Sequence, residues 1–109
     1  MRLIKLGLFG SFALALACPA LANEPIRLQL KDHKFAPAVI RVRANVPTEI
    51  SLTNHDSTAE EFDSTALKVE KVVSGNSSGV VRLRPLAPGR YPFMGEYHSD
   101  TAQGVVIAE

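Results

Sequence analysis

YPFMGEYHSDTAQGVVIAE, residues 91–109, reads as a strand, a short loop and a closing strand. YPFMGEY interleaves aromatic and apolar residues with glycine and glutamate, GVVIAE is rich in β-branched residues, and the small polar residues between them suit a loop. One histidine, His98, stands in that loop, and there is no cysteine anywhere in the segment.

Working outward, the same period of two recurs. Ile26, Leu28 and Leu30 alternate with Arg27, Gln29 and Lys31; Ile40 and Val42 alternate with Arg41 and Arg43; Ile50 and Leu52 lie within TEISLTN; Val81 and Leu83 alternate with Arg82 and Arg84. Alternation of this kind marks half-buried strands. Pro37 and Pro47 fall where a strand needs no donor. SGNSSG (74–79) and APGR (87–90) have turn composition, and ALKVEKVV (66–73) reads as a strand or as one helical turn leading into a strand. Short strands at regular spacing, with no long helical stripe, predict an all-β sandwich or barrel in a single domain.

The first residues have another task. Arg2 and Lys5 precede LGLFGSFALALA, and Ala20-Leu21-Ala22 offers the small-x-small pattern of signal peptidase cleavage. Residues 1–22 are therefore expected to be a signal peptide cut after Ala22, and residues 23–109 an exported, periplasmic domain without a membrane span. Cys18 raises lipid tethering as an alternative; on the main reading it leaves with the leader. The mature chain then has no cysteine, which excludes a disulfide, a thiolate nucleophile and a cysteine-ligated cluster. Loss of Arg2 and Lys5 takes the formal charge from +1 to −1, a balance that gives no reason to expect a nucleic-acid partner. Asp56, Glu60, Glu61 and Asp63 form an acidic run, which reads as a solvated face or as a place where a cation relieves repulsion.

Three segments, FAPAVIRVRANVPTEISLTN (35–54), DSTAEEFDS (56–64) and PLAPGRYPFMGEYHSDTAQGVVIAE (85–109), together resemble a cupredoxin across nearly the whole mature chain. EEFDS, EKVV and the F-x-G-E-x-H pattern of Phe93–His98 resemble, more narrowly, the small exported cupredoxin-like proteins associated with bacterial high-affinity iron permeases. The resemblance implies a Greek-key β-sandwich or barrel of the cupredoxin type. It also places Glu60 near the first histidine ligand of a blue-copper site, Gly95 at the cysteine, His98 at the second histidine and Gln103 at the weak axial position. Glutamine is an acceptable axial ligand, but Gly95 supplies none, so a blue copper–thiolate centre is not expected.

A replacement ligand set is available. If the strand continues to His98, alternation turns Met94, Glu96 and His98 to one side. Glu60 and Glu61 are expected on a loop at the same end, with one of the two facing the site. Of these, Glu61, Glu96 and Met94 are expected to take over from the thiolate around His98. His33 is a further candidate and His55 a weaker one; Asp100 and Glu70 are expected to accept the outer ring proton of a ligating histidine. Each has a plainer reading as well: Met94 as core filler, His55 as a surface group, Glu61 and Glu96 as partners of nearby cations. Imidazole with carboxylate suits Cu(II), iron or manganese, and methionine adds affinity for Cu(I). The expected cofactor is thus copper, with iron as a further possibility.

The functional expectation is an exported metal-binding protein, a monomer or weak homodimer, that assists iron oxidation or delivery to an iron permease or another exported iron-uptake protein, as the resemblance implies. A single copper does not carry out four-electron reduction of oxygen, which favours a redox partner or metal carrier over a free-standing enzyme. The alternative is a metal-free β-sandwich module that docks another exported protein. A hydrolase built on Ser99, His98 and Asp100 is disfavoured, because no G-x-S-x-G elbow is present.

Overall fold

The computed structural model describes residues 24–109, so the expected signal peptide and Cys18 lie outside the described residues. Nine strands form among the described residues: β1 (Ile26–Lys31), β2 (Lys34–Ala36), β3 (Val39–Val42), β4 (Thr48–Asn54), β5 (Glu60–Ser64), β6 (Val69–Val73), β7 (Ser77–Leu83), β8 (Gly89–Gly95) and β9 (Gln103–Ala108), with a short 3-10 turn at Glu96–His98. They pair into a four-stranded sheet, β2-β1-β4-β7, and a five-stranded sheet, β3-β9-β8-β5-β6. The contacts β1–β4 and β3–β9 are parallel and the remaining pairs antiparallel. The all-β, single-domain sandwich expected from the alternation is the fold observed.

Period-two burial builds the core between the sheets. Leu28, Leu30, Ile40, Val42, Ile50, Leu52, Val81, Leu83 and Val106 are buried, whereas Arg27, Lys31, Arg41, Arg43 and Arg82 lie outside. Phe62 and Phe93 stack at 4.7 Å between ring centroids, and Phe35 meets Phe93 edge-on at 5.1 Å. This aromatic cluster decides where the histidines sit. Phe35 follows His33 by two residues, Phe62 follows Glu60 by two, and Phe93 precedes Gly95 by two, with Phe62 and Gly95 opposite one another in register. Packing Phe35 of one sheet against Phe62 and Phe93 of the other therefore brings those three positions to the same end of the sandwich.

Several boundaries differ from the sequence reading. Glu60 and Glu61 open strand β5 instead of lying in a loop, Ala66–Val73 resolves into a turn followed by β6, and SGNSSG contributes its second half to β7. A hairpin through Asp32 and His33, joining β1 to β2, was not legible in DHK, because its turn lacks the glycine that usually marks one.

Asn54, buried at the end of β4, ties this end together. Its Nδ2 donates to the carbonyls of Thr58 (2.9 Å) and Val73 (3.2 Å), and its Oδ1 accepts from the Asp56 N–H (2.9 Å). Asn54→Ala leaves these buried groups without partners and is expected to cost about 2–4 kcal/mol. Urea unfolding of the metal-free protein checks this; a shift below about 1 kcal/mol contradicts it.

Candidate metal centre

β8 ends at Gly95, and the chain enters a 3-10 turn. Strand alternation stops there, so Met94, Glu96 and His98 do not share a side as a continued strand would require. His98 turns inward, while Met94 and Glu96 stay exposed. The turn is held by backbone bonds, from Gly95 N–H to the Ala102 carbonyl (2.8 Å) and from Ala102 N–H to the His98 carbonyl (2.9 Å).

His98 meets Glu60. The Glu60 side chain is 1% exposed, and its Oε2 lies 2.6 Å from His98 Nδ1. Its Oε1 accepts from the backbone N–H of Glu61 (3.0 Å) and of Tyr97 (2.8 Å). A carboxylate already fixed as acceptor by two N–H groups is the acceptor on its other oxygen too, so the proton sits on His98 Nδ1 and the lone pair on Nε2. Carboxylate–imidazole pairing of this kind orients a ligating histidine. Glu60, rather than Asp100 or Glu70, is thus the partner of the His98 ring.

Gly95 explains the room for Glu60. A Cβ on Gly95 would fall 2.6 Å from Glu60 Cδ, 2.9 Å from its Oε2 and 2.8 Å from the Ala102 Cβ. The space that a side chain at position 95 would use is filled by the Glu60 carboxylate.

The second imidazole comes from the other sheet. The His33 ring stacks on His98, with centroids 3.5 Å apart and planes inclined by 12°. Asp56, which sequence reasoning placed only in an acidic run, holds the turn beneath His33. Its Oδ1 accepts from Asp32 N–H (2.7 Å) and its Oδ2 from His33 N–H (3.0 Å), with His33 Nε2 4.0 Å from Oδ2. Burial by itself would raise the Asp56 pKa, but the N–H groups of His33 and Asp32, followed by electrostatic attraction to the His33 and His98 rings, outweigh it and hold the carboxyl below its usual value.

The other candidates lie elsewhere. Glu61 and Asp63 point from β5 to the outer face of the five-stranded sheet, where Asp63 is opposite both Glu70 and Met94 in register. Burial and the charges of Glu70, Asp63 and Glu60 push the Glu61 pKa up. A hydrogen bond with Asp63, followed by burial and the charges of Asp63, Glu61 and Glu70, pushes up that of Glu96. Gln103 is opposite Met94 in register, and its Nε2 donates to the Ser99 carbonyl (2.9 Å), bracing the loop. His55 is exposed and bonds Gln29 (2.8 Å). The sequence-derived set therefore divides into His98, Glu60 and the half-exposed His33 at one end of the sandwich, and Glu61, Glu96, Met94 and Gln103 outside. Among the described residues, no three His, Cys, Asp or Glu side chains already converge as a formed metal site. Imidazole and carboxylate are donor types that a borderline cation such as Cu(II) takes, but the face-to-face stack of His33 on His98 does not aim both ring lone pairs at one point, and the Glu60 oxygens are already bonded to Glu61, Tyr97 and His98.

Among known proteins, the chain is 40% identical over 82 residues to an uncharacterized protein of Rickettsia prowazekii (strain Madrid E), covering 75% of this chain and 66% of that one, so it spans just under two thirds of that relative's length. Its fold is similar to that of the metal-binding domain of the Streptococcus pneumoniae D39 Cu(I)-exporting P-type ATPase, solved with Cu(I), at 19% identity and a TM-score of 0.68 over 81% of this chain and 87% of that one. It is also similar to auracyanin A, a blue copper protein of Chloroflexus aurantiacus, at 14% identity and a TM-score of 0.67 over 80% and 99%. With residues 5–108 matching the cupredoxin-like domain, this chain belongs to the cupredoxin-like family.

Proposed function

We propose that the protein is an exported, periplasmic copper-binding cupredoxin without a thiolate, which assists iron oxidation or the delivery of iron to a permease. One observation carries the reading. At the end of a fold shared with copper proteins, a buried carboxylate orients His98 and a second imidazole lies against it. His98 would hold the metal through Nε2, with the His33 ring packed against it, and Glu60 would neutralise part of its charge inside the sandwich. Bound there, copper supplies one-electron redox chemistry.

The outer carboxylates of Glu61, Asp63, Glu70 and Glu96, with Met94 beside them, offer hard oxygen donors to an iron cation. Burial raises the Glu61 pKa and a hydrogen bond with Asp63 that of Glu96, and in both the neighbouring carboxylates add a smaller repulsion that a cation would relieve. One carboxylate links the two regions: Glu60 Oε1 holds the N–H of Glu61, on the acidic face, and that of Tyr97, next to Glu96.

The competing reading, a docking module that needs no metal, is favoured by apolar groups left in the open, Tyr97 at 52% and Val72 at 51% exposure among them. Adding one equivalent of Cu(II) to metal-free protein separates the two. The copper reading expects a resonance spectrum with nitrogen coupling and no intense blue colour. His98→Ala is expected to weaken Cu(II) binding by about tenfold or more while the β fold persists. Unchanged affinity by titration calorimetry, or a spectrum identical to buffer copper, favours the docking module.

A further inference from the structure

Pro92 breaks the ladder of the five-stranded sheet. Strands β5 and β8 pair at Phe62–Gly95 and Asp63–Met94 and no further. The Gly95 N–H turns toward β9, where it bonds the Ala102 carbonyl, so by alternation the backbone groups of Met94 and Pro92 face β5. The next rung would join Pro92 to Thr65, and Pro92 has no N–H to give it. Its carbonyl accepts instead from the Ser64 hydroxyl (2.7 Å), whose oxygen accepts from the Leu67 N–H (2.9 Å), and β5 leaves the sheet for the turn into β6.

The parting strands leave a cavity of about 610 Å³ on the outer face. Asp63, Thr65 and Ala66 line it from β5 and its turn, Pro92 and Met94 from β8, and Asp100 from the loop before β9. Met94 lies here 39% exposed. Among the described residues the ion pairs are His33–Asp56, Arg41–Glu109, Arg82–Glu49 and His98–Glu60, so neither Asp63 nor Asp100 has a cation of its own. Arg84, which reaches the same turn, donates to the Leu67 and Ala66 carbonyls. Two carboxylates beside apolar surface fit a side chain with an apolar stem and a cationic tip.

The apolar surface runs on from the cavity. Pro92, Val105 and Val39 are neighbours in register across β8, β9 and β3; Pro92 and Val39 are exposed and Val105 is half-buried. The next row, Arg90, Ile107 and Arg41, carries two cations. This outer face thus grades from acidic through apolar to basic, which fixes how a partner with a cation beside an apolar residue can lie on it. A small molecule in the cavity would leave the apolar row in water, whereas a protein segment covers both.

We infer that the outer face of the five-stranded sheet is a docking surface for a partner protein, which places an arginine in the cavity beside Asp63 and Asp100 and an apolar residue on the Pro92–Val105–Val39 row. Arginine suits the place because its planar guanidinium meets carboxylates with two parallel hydrogen bonds and stacks on flat surfaces. The inference goes beyond the copper reading and does not depend on it. Asp63 alone is shared with the acidic face offered to iron; Asp100 and the apolar row are not.

The test titrates ¹⁵N-labelled mature protein, kept metal-free with a chelator, with the end-blocked peptide acetyl-Leu-Arg-Leu-amide, and with the same peptide carrying uncharged citrulline. Amide shifts are expected to gather at Asp63–Ala66, Met94, Ser99–Gly104 and Val105. The citrulline peptide is expected to bind about tenfold more weakly, and the arginine peptide to lose about as much on Asp63→Asn/Asp100→Asn protein. Val105→Thr is expected to weaken the arginine peptide about threefold. Glu24→Gln/Glu49→Gln, the same change of charge away from this face, is expected to leave binding unaltered. The ¹⁵N spectrum of each variant reports directly that it is folded.

Equal binding of the two peptides, equal losses in the two double variants, or shifts spread over all exposed carboxylates would reduce the effect to diffuse charge attraction and overturn the inference. An unaffected Val105→Thr would overturn its apolar half. Shifts on this face that grow with protein concentration, without peptide, would show that a second copy of the chain covers it and overturn the choice of partner. Because no metal is present, failure of the copper reading changes none of these outcomes.

Discussion

Glu60→Ala is expected to lower stability by about 2–4 kcal/mol, which for a domain of this size moves the thermal midpoint down by roughly 10–25 °C. The carboxylate is 1% exposed and serves three donors, the N–H groups of Glu61 and Tyr97 and the Nδ1 of His98. Truncation strands two backbone donors, each costing about 1–3 kcal/mol if no water reaches it. His98 contributes less to the loss, since its side chain is 27% exposed and water can replace the lost partner. No charge is left buried after the substitution, so the penalty stays below that of a broken ion pair. Glu60→Gln keeps one acceptor for the two N–H groups and is expected to cost about 1–2 kcal/mol, with the His98 ring changing tautomer or turning. Thermal and urea unfolding of metal-free protein at neutral pH measures both. A Glu60→Ala loss under about 1 kcal/mol would mean that water replaces the carboxylate at the Glu61 and Tyr97 N–H groups.

The fold was legible because alternation survives on strands that bury one face. Leu28, Leu30, Ile50, Leu52, Val81 and Leu83 could be assigned to the inside from spacing alone, and each is buried. The site was less legible because its geometry depends on where alternation stops. Extending β8 by three residues would have put Met94 and His98 on one side; the 3-10 turn separates them. Likewise, placing Glu60 and Glu61 in a loop hid a parity that, once β5 is known to begin at Glu60, sends one inward and the other out. The sequence reading expected at least one of the pair to face the site and gave the ligand role to Glu61, whereas β5 turns Glu60 inward and Glu61 outward.

Asp56 illustrates a different limit. Its role depends on a hairpin whose turn residues, Asp32 and His33, carry no glycine, and on an asparagine two positions earlier whose side chain is wholly internal. The usable signal was Asn54 at the end of an alternating strand, where an apolar residue would continue the inner row. A polar residue in that register implies buried carbonyls or N–H groups needing a partner, and the segment after Asn54 was the place to look for them.

Gly95→Ala is expected to cost about 2–4 kcal/mol by itself, more than the usual overpacking of one methyl in a core. The added Cβ falls within 2.9 Å of three atoms, two of them in the Glu60 carboxyl group. Moving that group away breaks its bonds to Glu61, Tyr97 and His98, so the steric cost is compounded by the polar one. Against this stands a gain of roughly 0.5–1 kcal/mol from replacing glycine in a strand, too small to reverse the sign. In a Glu60→Ala background the carboxyl is gone, and the same substitution meets chiefly the Ala102 Cβ, 2.8 Å away. Its cost there is expected to fall to about 1 kcal/mol, giving a coupling of about 1–2 kcal/mol or more between the two positions in a double-mutant cycle of urea unfolding energies. Additive losses would show that Glu60 and residue 95 do not compete for space. Strong coupling would mean that a side chain at 95 and the buried carboxylate at 60 exclude one another. A thiolate at 95 would then require loss of the Glu60 carboxylate, and with it the partner that orients His98.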